Sequence, residues 1–171
     1  FDAFSNAVIS LARGNIVAAR EALRVQADRA DATGATLVLR AAIALGDPLI
    51  PADVRRDDAR RFYRAAHARD AEMWQPALQL ARLESADGQV TEAIASLRVA
   101  VAHWPTNIVL AMSLAEMLYD KDWDADADRT VAQAHAALPD SCVPVRSMFD
   151  SARRRGRFGE AGRLADQIVE C

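Results

Sequence analysis

The sequence predicts an all-α fold, a helical repeat array, and three observations carry that prediction. Ala59, Ala93, Ala127 and Ala161 stand 34 residues apart. Neighbouring columns keep the interval: Gly88 and Gly156 lie five residues before Ala93 and Ala161, and Pro105 and Pro139 lie twelve after Ala93 and Ala127. Within the units, apolar residues recur at offsets of three and four, the stripe of an amphipathic helix, and no strand-like alternation persists. Self-similarity at such a period marks stacked helix-turn-helix units, each burying a face against the next.

The unit at about 74–107 is the clearest. Its first half places Leu78, Ala81, Leu83 and Ala86 at helical spacing before Gly88. Its second half repeats apolar residues at Val90, Ala93, Ile94, Leu97, Ala100 and Val101 before Pro105. Gly88 can take the left-handed conformation that ends one helix, and Pro105 stops the next. This unit resembles the tetratricopeptide repeat. Ala81 and Ala93 match that family's small residue on the first helix and alanine on the second, the pair that lets the two axes approach closely. Leu80 matches its apolar position, and Ala100 and Pro105 match its later small residue and terminal proline. Leu97 stands where the family has an aromatic residue.

Extended outward, the resemblance gives five motifs, at about 1–31, 32–71, 74–107, 108–141 and 142–171. The first turns at Gly14, with Ile16, Ala19 and Leu23 behind it. The second has a helix at about 34–45, a turn at Gly46 and a return helix at about 52–69 carrying Ala59, Tyr63 and Ala66. Ala19 and Ala59 are 40 residues apart, so six are extra. They are expected to form a longer loop at 46–53, where Pro48 and Pro51 oppose a continuing helix and Asp47 or Asp53 could cap the next. The fourth motif keeps Ala115, Ala127, Ala134 and Pro139 but turns through Asp122 instead of glycine. The fifth puts Phe149 at the usual small position, which is expected to splay its helices and make it the least regular.

The 171 residues suit one elongated domain, and a hydrophobic content of 51% is enough for a continuous core between stacked helices. No apolar run approaches the roughly 18 residues that span a bilayer. Both ends fall inside motifs, and the last helix has nothing after it to cover its apolar face. The chain is therefore expected to be a segment of a longer one, or to self-associate through that terminal helix. Lys121 is the only lysine, an arginine bias that fits a GC-rich bacterial genome. Aspartates crowd positions 120–128, and Arg153, Arg154, Arg155 and Arg157 cluster further on; both runs are expected to be solvated turns. Cys142 and Cys171 bracket the last hairpin and could form a disulfide, which would favour a bacterial periplasm over the cytoplasm.

Enzymatic chemistry finds no support in this inventory. There is no glycine-rich phosphate loop, serine elbow or zinc-type spacing, and no cofactor or metal is expected. His67, His103 and His135 fall on second helices of separate motifs and are expected to face solvent. Asp120, Asp122 and Asp124 have the alternate spacing of a calcium loop, but Ala125 and Val131 replace its glycine and closing glutamate. An acidic turn with Asp124 capping the next helix is the expectation there. A net charge of −3 with one lysine argues against nucleic acid as a partner.

The resemblance implies a right-handed superhelix whose first helices line a concave groove for a protein or peptide. The groove residues would be Arg40, Gln75, Leu78, Arg82, Met112, Glu116, Tyr119, Arg146, Asp150 and Arg153. Apolar positions flanked by arginines suit a peptide with apolar anchors and some acidic character. The lysine and asparagine pairs by which some family members clamp a C-terminal carboxylate are missing, since those positions hold Leu78 with Arg82, Met112 with Glu116, and Arg146 with Asp150. The expected function is a non-catalytic protein-binding scaffold. A regulatory or targeting domain of a larger enzyme, or part of an envelope secretion or assembly complex, is the alternative. The register makes a direct prediction: Ala93→Leu should overpack the third motif and cost roughly 1–3 kcal/mol, and an unchanged thermal midpoint would refute the alignment.

Overall fold

The computed structural model describes residues 2–27 and 32–170. Among the described residues there are ten helices and no strand: α1 (Ala3–Ala12), α2 (Ile16–Ala27), α3 (Gly34–Gly46), α4 (Ala52–Arg69), α5 (Gln75–Ala86), α6 (Val90–His103), α7 (Ile108–Asp120), α8 (Asp124–Ala137), α9 (Cys142–Arg154) and α10 (Phe158–Glu170). The all-α repeat class is therefore as the sequence predicts. The helices gather into two compact units, residues 1–88 and 89–171. In the first, α1 pairs with α2, α3 with α4, and α5 packs on α4. In the second, α7 pairs with α8 and α9 with α10, with α6 against α7 and α8 against α9.

Helix starts are set by side-chain caps at five places. Asp2, Asn15, Thr33, Asn107 and Ser141 each accept a hydrogen bond from a backbone N–H two or three residues on, satisfying donors that a helix leaves unpaired in its first turn. Two expected caps do not form. α4 follows Pro51, which makes no side-chain cap, and α8 follows Trp123. Asp53 lies in the first turn of α4, and Asp124 and Asp126 in the first turn of α8, where their charge still meets the positive end of the helix.

The alanine columns are the interior. Ala7, Ala19, Ala41, Ala59, Ala81, Ala93 and Ala127 are fully buried. Ala7 and Ala19 cluster with Leu23, Leu39 and Ile43, and Ala41 and Ala59 with Tyr63 and Leu83. In the last hairpin the close contact shifts. Ala152 is the fully buried residue that clusters with Ala161, Val145 and Leu164, while Phe149 lies half-buried at the edge. The ring cannot occupy a site sized for a methyl group, so the next small residue one turn on takes it. On α10, Leu164 is buried in the same cluster and Ile168 packs against it.

The period also fixes the turns. Residues with positive φ are Gly14, Gly88, Gly156 and Asp122, each five residues before a column alanine. Asp122, at φ 58°, thus adopts the glycine conformation without being glycine. The six extra residues of the second motif are divided between two elements. α4 opens seven residues before Ala59, whereas α2, α6, α8 and α10 open three before their own column alanine. One added helical turn absorbs four residues, and the connection takes only two. Pro51 is the N-cap of α4, with φ −54° and ψ 144°. α3 ends at Gly46 and α4 opens at Ala52, so residues 47–51 form the connection.

A left-handed non-glycine residue is strained by about 1 kcal/mol or more. Asp122→Gly should accordingly raise the thermal midpoint, by the equivalent of roughly 0.5–1 kcal/mol after the greater unfolded-state freedom of glycine is deducted. A lowered midpoint would show that the Asp122 side chain does more for the turn than its strain takes away.

Candidate functional site

Successive hairpins within each unit are tied by a recurring ion pair. Arg20 on α2 donates to Asp47 at the end of α3 at 2.7 Å. Arg60 on α4 pairs with Asp87 at the end of α5, which Arg56 also approaches at 3.1 Å. In the second unit the pair recurs with its charges exchanged: Asp128 on α8 and Arg155 at the end of α9, 2.5 Å apart. The separation is 27 residues in each case. At the equivalent positions between α6 and α7 stand Ile94 and Lys121, which cannot pair. An aspartate at a helix C-terminus opposes the helix dipole, so Asp47 and Asp87 require the guanidinium beside them, whereas Arg155 suits the dipole directly.

Around Asp128 this pair widens into a network. Its Oδ1 accepts from the Tyr119 hydroxyl at 2.7 Å and the Ser151 hydroxyl at 3.0 Å, and Oδ2 accepts from Arg155. Arg155 also pairs with Asp124 at 2.8 Å, and Arg98 and Arg129 hold Asp126 at 2.6 and 3.1 Å. Asp124 and Asp128 of the acidic run thus pair with Arg155 of the arginine run, whereas Asp120, Asp122, Arg153 and Arg154 are exposed. Burial pushes the Asp128 carboxyl up, but the donors Tyr119, Arg155 and Ser151 outweigh it and hold the group below its usual value. Burial, reinforced by the bond to Asp128, pushes the Tyr119 phenol up, although Ser151 and Arg155 act in the opposite sense.

That network fixes Tyr119 as part of a cavity between α7 and α9. The cavity is about 400 Å³ and is lined by Met112, Glu116, Tyr119 and Asp120 of α7 and by Val143, Ser147, Asp150 and Arg154 of α9. The Arg154 guanidinium lies 5.1 Å from the Tyr119 ring centre. Four of the residues assigned to the groove from sequence, Met112, Glu116, Tyr119 and Asp150, meet here. Arg146 and Arg153 are exposed but do not line it. Arg153 lies over Phe149 and beside a neighbouring hollow with Asp150, Arg154 and Phe158. Repeat-equivalent positions point the same way on successive helices, whereas a cavity between two helices needs facing flanks. On α9 that flank is 143, 147, 150 and 154, a stripe visible in the sequence as offsets of four, three and four.

In the first unit, Arg40 sits 4.5 Å over the Phe62 ring, Gln75 is half-buried and Arg82 is exposed. Leu78 is not a groove residue. It is 3% exposed, because its position on α5 falls on the stripe shared with Ala81 that seeks the interior. His67 and His103 are exposed as expected, but His135 is half-buried, with its Nδ1 lacking a hydrogen-bond partner among the described residues. Cys142 opens α9 half-buried with a free thiol among the described residues, and Cys171 lies outside them. A second cavity, of about 470 Å³, opens between α6 and α8 over Ala111 and Leu114, with Val101, Pro105 and Ala134 on its walls and the Arg98–Asp126–Arg129 triad at its rim. Sequence reasoning did not anticipate it, because its lining residues sit between two second helices.

No family model matches the sequence, and no curated protein is similar to it. Solved structures are similar in fold. MamA from Desulfovibrio magneticus RS-1 superimposes with a TM-score of 0.71 at 15% identity, over 98% of this chain and 92% of that one. The fold is a tetratricopeptide-type helical repeat. A tetratricopeptide repeat protein from Parabacteroides merdae ATCC 43184 gives a TM-score of 0.70 at 12% identity, covering 98% of this chain and 64% of that one. A further MamA crystal structure gives 0.70 at 14% identity, over 96% and 92%. Among the described residues, no helix is long and apolar enough to cross a membrane.

The depressed Asp128 carboxyl gives a signed pH dependence. A lowered folded-state value means that its contribution is present above the unfolded value of about 3.9 and is lost as pH falls through the folded value. Asp128→Asn should be less stable than the parent at neutral pH, by under about 1 kcal/mol given the screening of a partly exposed pair. The two should converge below about pH 4. Urea midpoints across that range measure this, and parallel profiles would exclude the network as the cause.

Proposed function

We propose that the chain is a non-catalytic scaffold that holds a protein or peptide, with the cavity between α7 and α9 as the ligand seat. The observation that carries this is convergence: four residues assigned to a binding face from the resemblance to the tetratricopeptide repeat line one open cavity. Its floor supports the same conclusion. Met112 and Tyr119 are half-buried and Val143 is 49% exposed, so apolar surface is presented at the bottom of a concave site with polar groups at its edge. The tetratricopeptide-type fold offers such a face between successive first helices, and an extended or helical segment fits it.

Capture from a cell lysate, followed by mass spectrometry, tests the proposal if the parent is run beside Met112→Glu/Val143→Glu. Both side chains are accessible in the cavity, so helicity by circular dichroism should be retained. Proteins held by the parent should be lost from the double variant. Retention of the same set by both would exclude this cavity as the seat.

A further inference from the structure

We infer that the segment seated between α7 and α9 is cationic, with lysine or arginine side chains flanking an apolar anchor; this rests on the binding role proposed above. Three carboxylates, Glu116, Asp120 and Asp150, line the cavity against one guanidinium, Arg154, which stacks beside Tyr119. The fold itself does not use those three carboxylates. Asp124, Asp126 and Asp128 a few residues away are all held by arginines, whereas Glu116, Asp120 and Asp150 make no ion pair among the described residues.

Glu116 and Asp120 are four apart on one helix, where like charges repel and weaken the helix. A local conflict that no ion pair among the described residues relieves is the kind of feature that a binding site retains. A cationic segment relieves it. Its ammonium or guanidinium groups would meet the carboxylates at the rim while their alkyl stems and the apolar anchor cover Met112, Tyr119 and Val143. An acidic segment would add like charge to the α7 wall. This inference departs from the acidic partner expected from the arginines in the sequence: Arg146 and Arg153 lie outside the cavity, and Arg40 is engaged on Phe62.

Fluorescent peptides with a central Leu-Phe anchor, flanked by lysines, glutamates or serines, test the inference by anisotropy. The parent should bind the lysine-flanked peptide most tightly, with affinity falling as salt rises. Glu116→Gln/Asp120→Asn/Asp150→Asn should weaken that peptide about tenfold, as expected for the loss of several rim charges, and leave the serine-flanked peptide unchanged. Equal or tighter binding of the glutamate-flanked peptide, still abolished by Met112→Glu/Val143→Glu, would overturn the cationic assignment while leaving the cavity as the seat. Lysine-flanked binding that survives the triple substitution would overturn it as well. Absence of binding by every peptide would also overturn it, with the cavity then judged by the capture experiment alone.

Discussion

Close approach of paired helices, set by alanines with no accessible surface, is the constraint on which the rest depends. A methyl group is the largest side chain that lets two helical backbones meet at these points, so each hairpin places a column alanine on its return helix. Larger residues fill the space around each contact: Leu23, Leu39 and Ile43 about Ala7 and Ala19, and Tyr63 and Leu83 about Ala41 and Ala59. The last hairpin shows how firm the constraint is. With Phe149 in the column, the contact on α9 moves to Ala152 while Ala161 stays buried on α10, because packed interiors accept neither voids nor overlap.

Apolar stacking is non-directional, and the recurring ion pair adds direction. One partner sits just after the column alanine on a second helix, and the other at the end of the next first helix. Its polarity runs arginine to aspartate in the first unit and aspartate to arginine in the second. The inverted version is the more elaborate, since Asp128 also receives Tyr119 and Ser151. Partly exposed pairs of this kind contribute little stability singly. Their clearer effect is positional: the network holds Tyr119 with its ring at the cavity wall and its hydroxyl turned away. Tyr119 thus serves both the packing against α8 and the wall of the cavity, where Glu116, Asp120 and Asp150 make no ion pair among the described residues.

The sequence by itself determined the elements and their spacing. The turn glycines, with Asp122 as their equivalent, act within one turn, where neighbours along the chain decide the energy, and the column alanines recur at the interval of the hairpins they join. Met112, Glu116, Tyr119 and Asp150, assigned to one face from the sequence, do line one cavity, because those positions repeat with the helices that carry them. Only the tertiary structure decided what faces what. Asp124, Asp128 and Arg155 read as parts of solvated turns until the fold paired them, and Leu78 read as a groove residue until its burial placed it inside. The extra residues at 46–53 read as loop, and the fold divides them between the connection at 47–51 and a start of α4 one turn further from its column alanine than in the other return helices. That the α9 stripe at 143, 147, 150 and 154 faces a cavity was likewise decided by the fold, since a repeat register gives equivalent directions while an opening between helices depends on opposing ones.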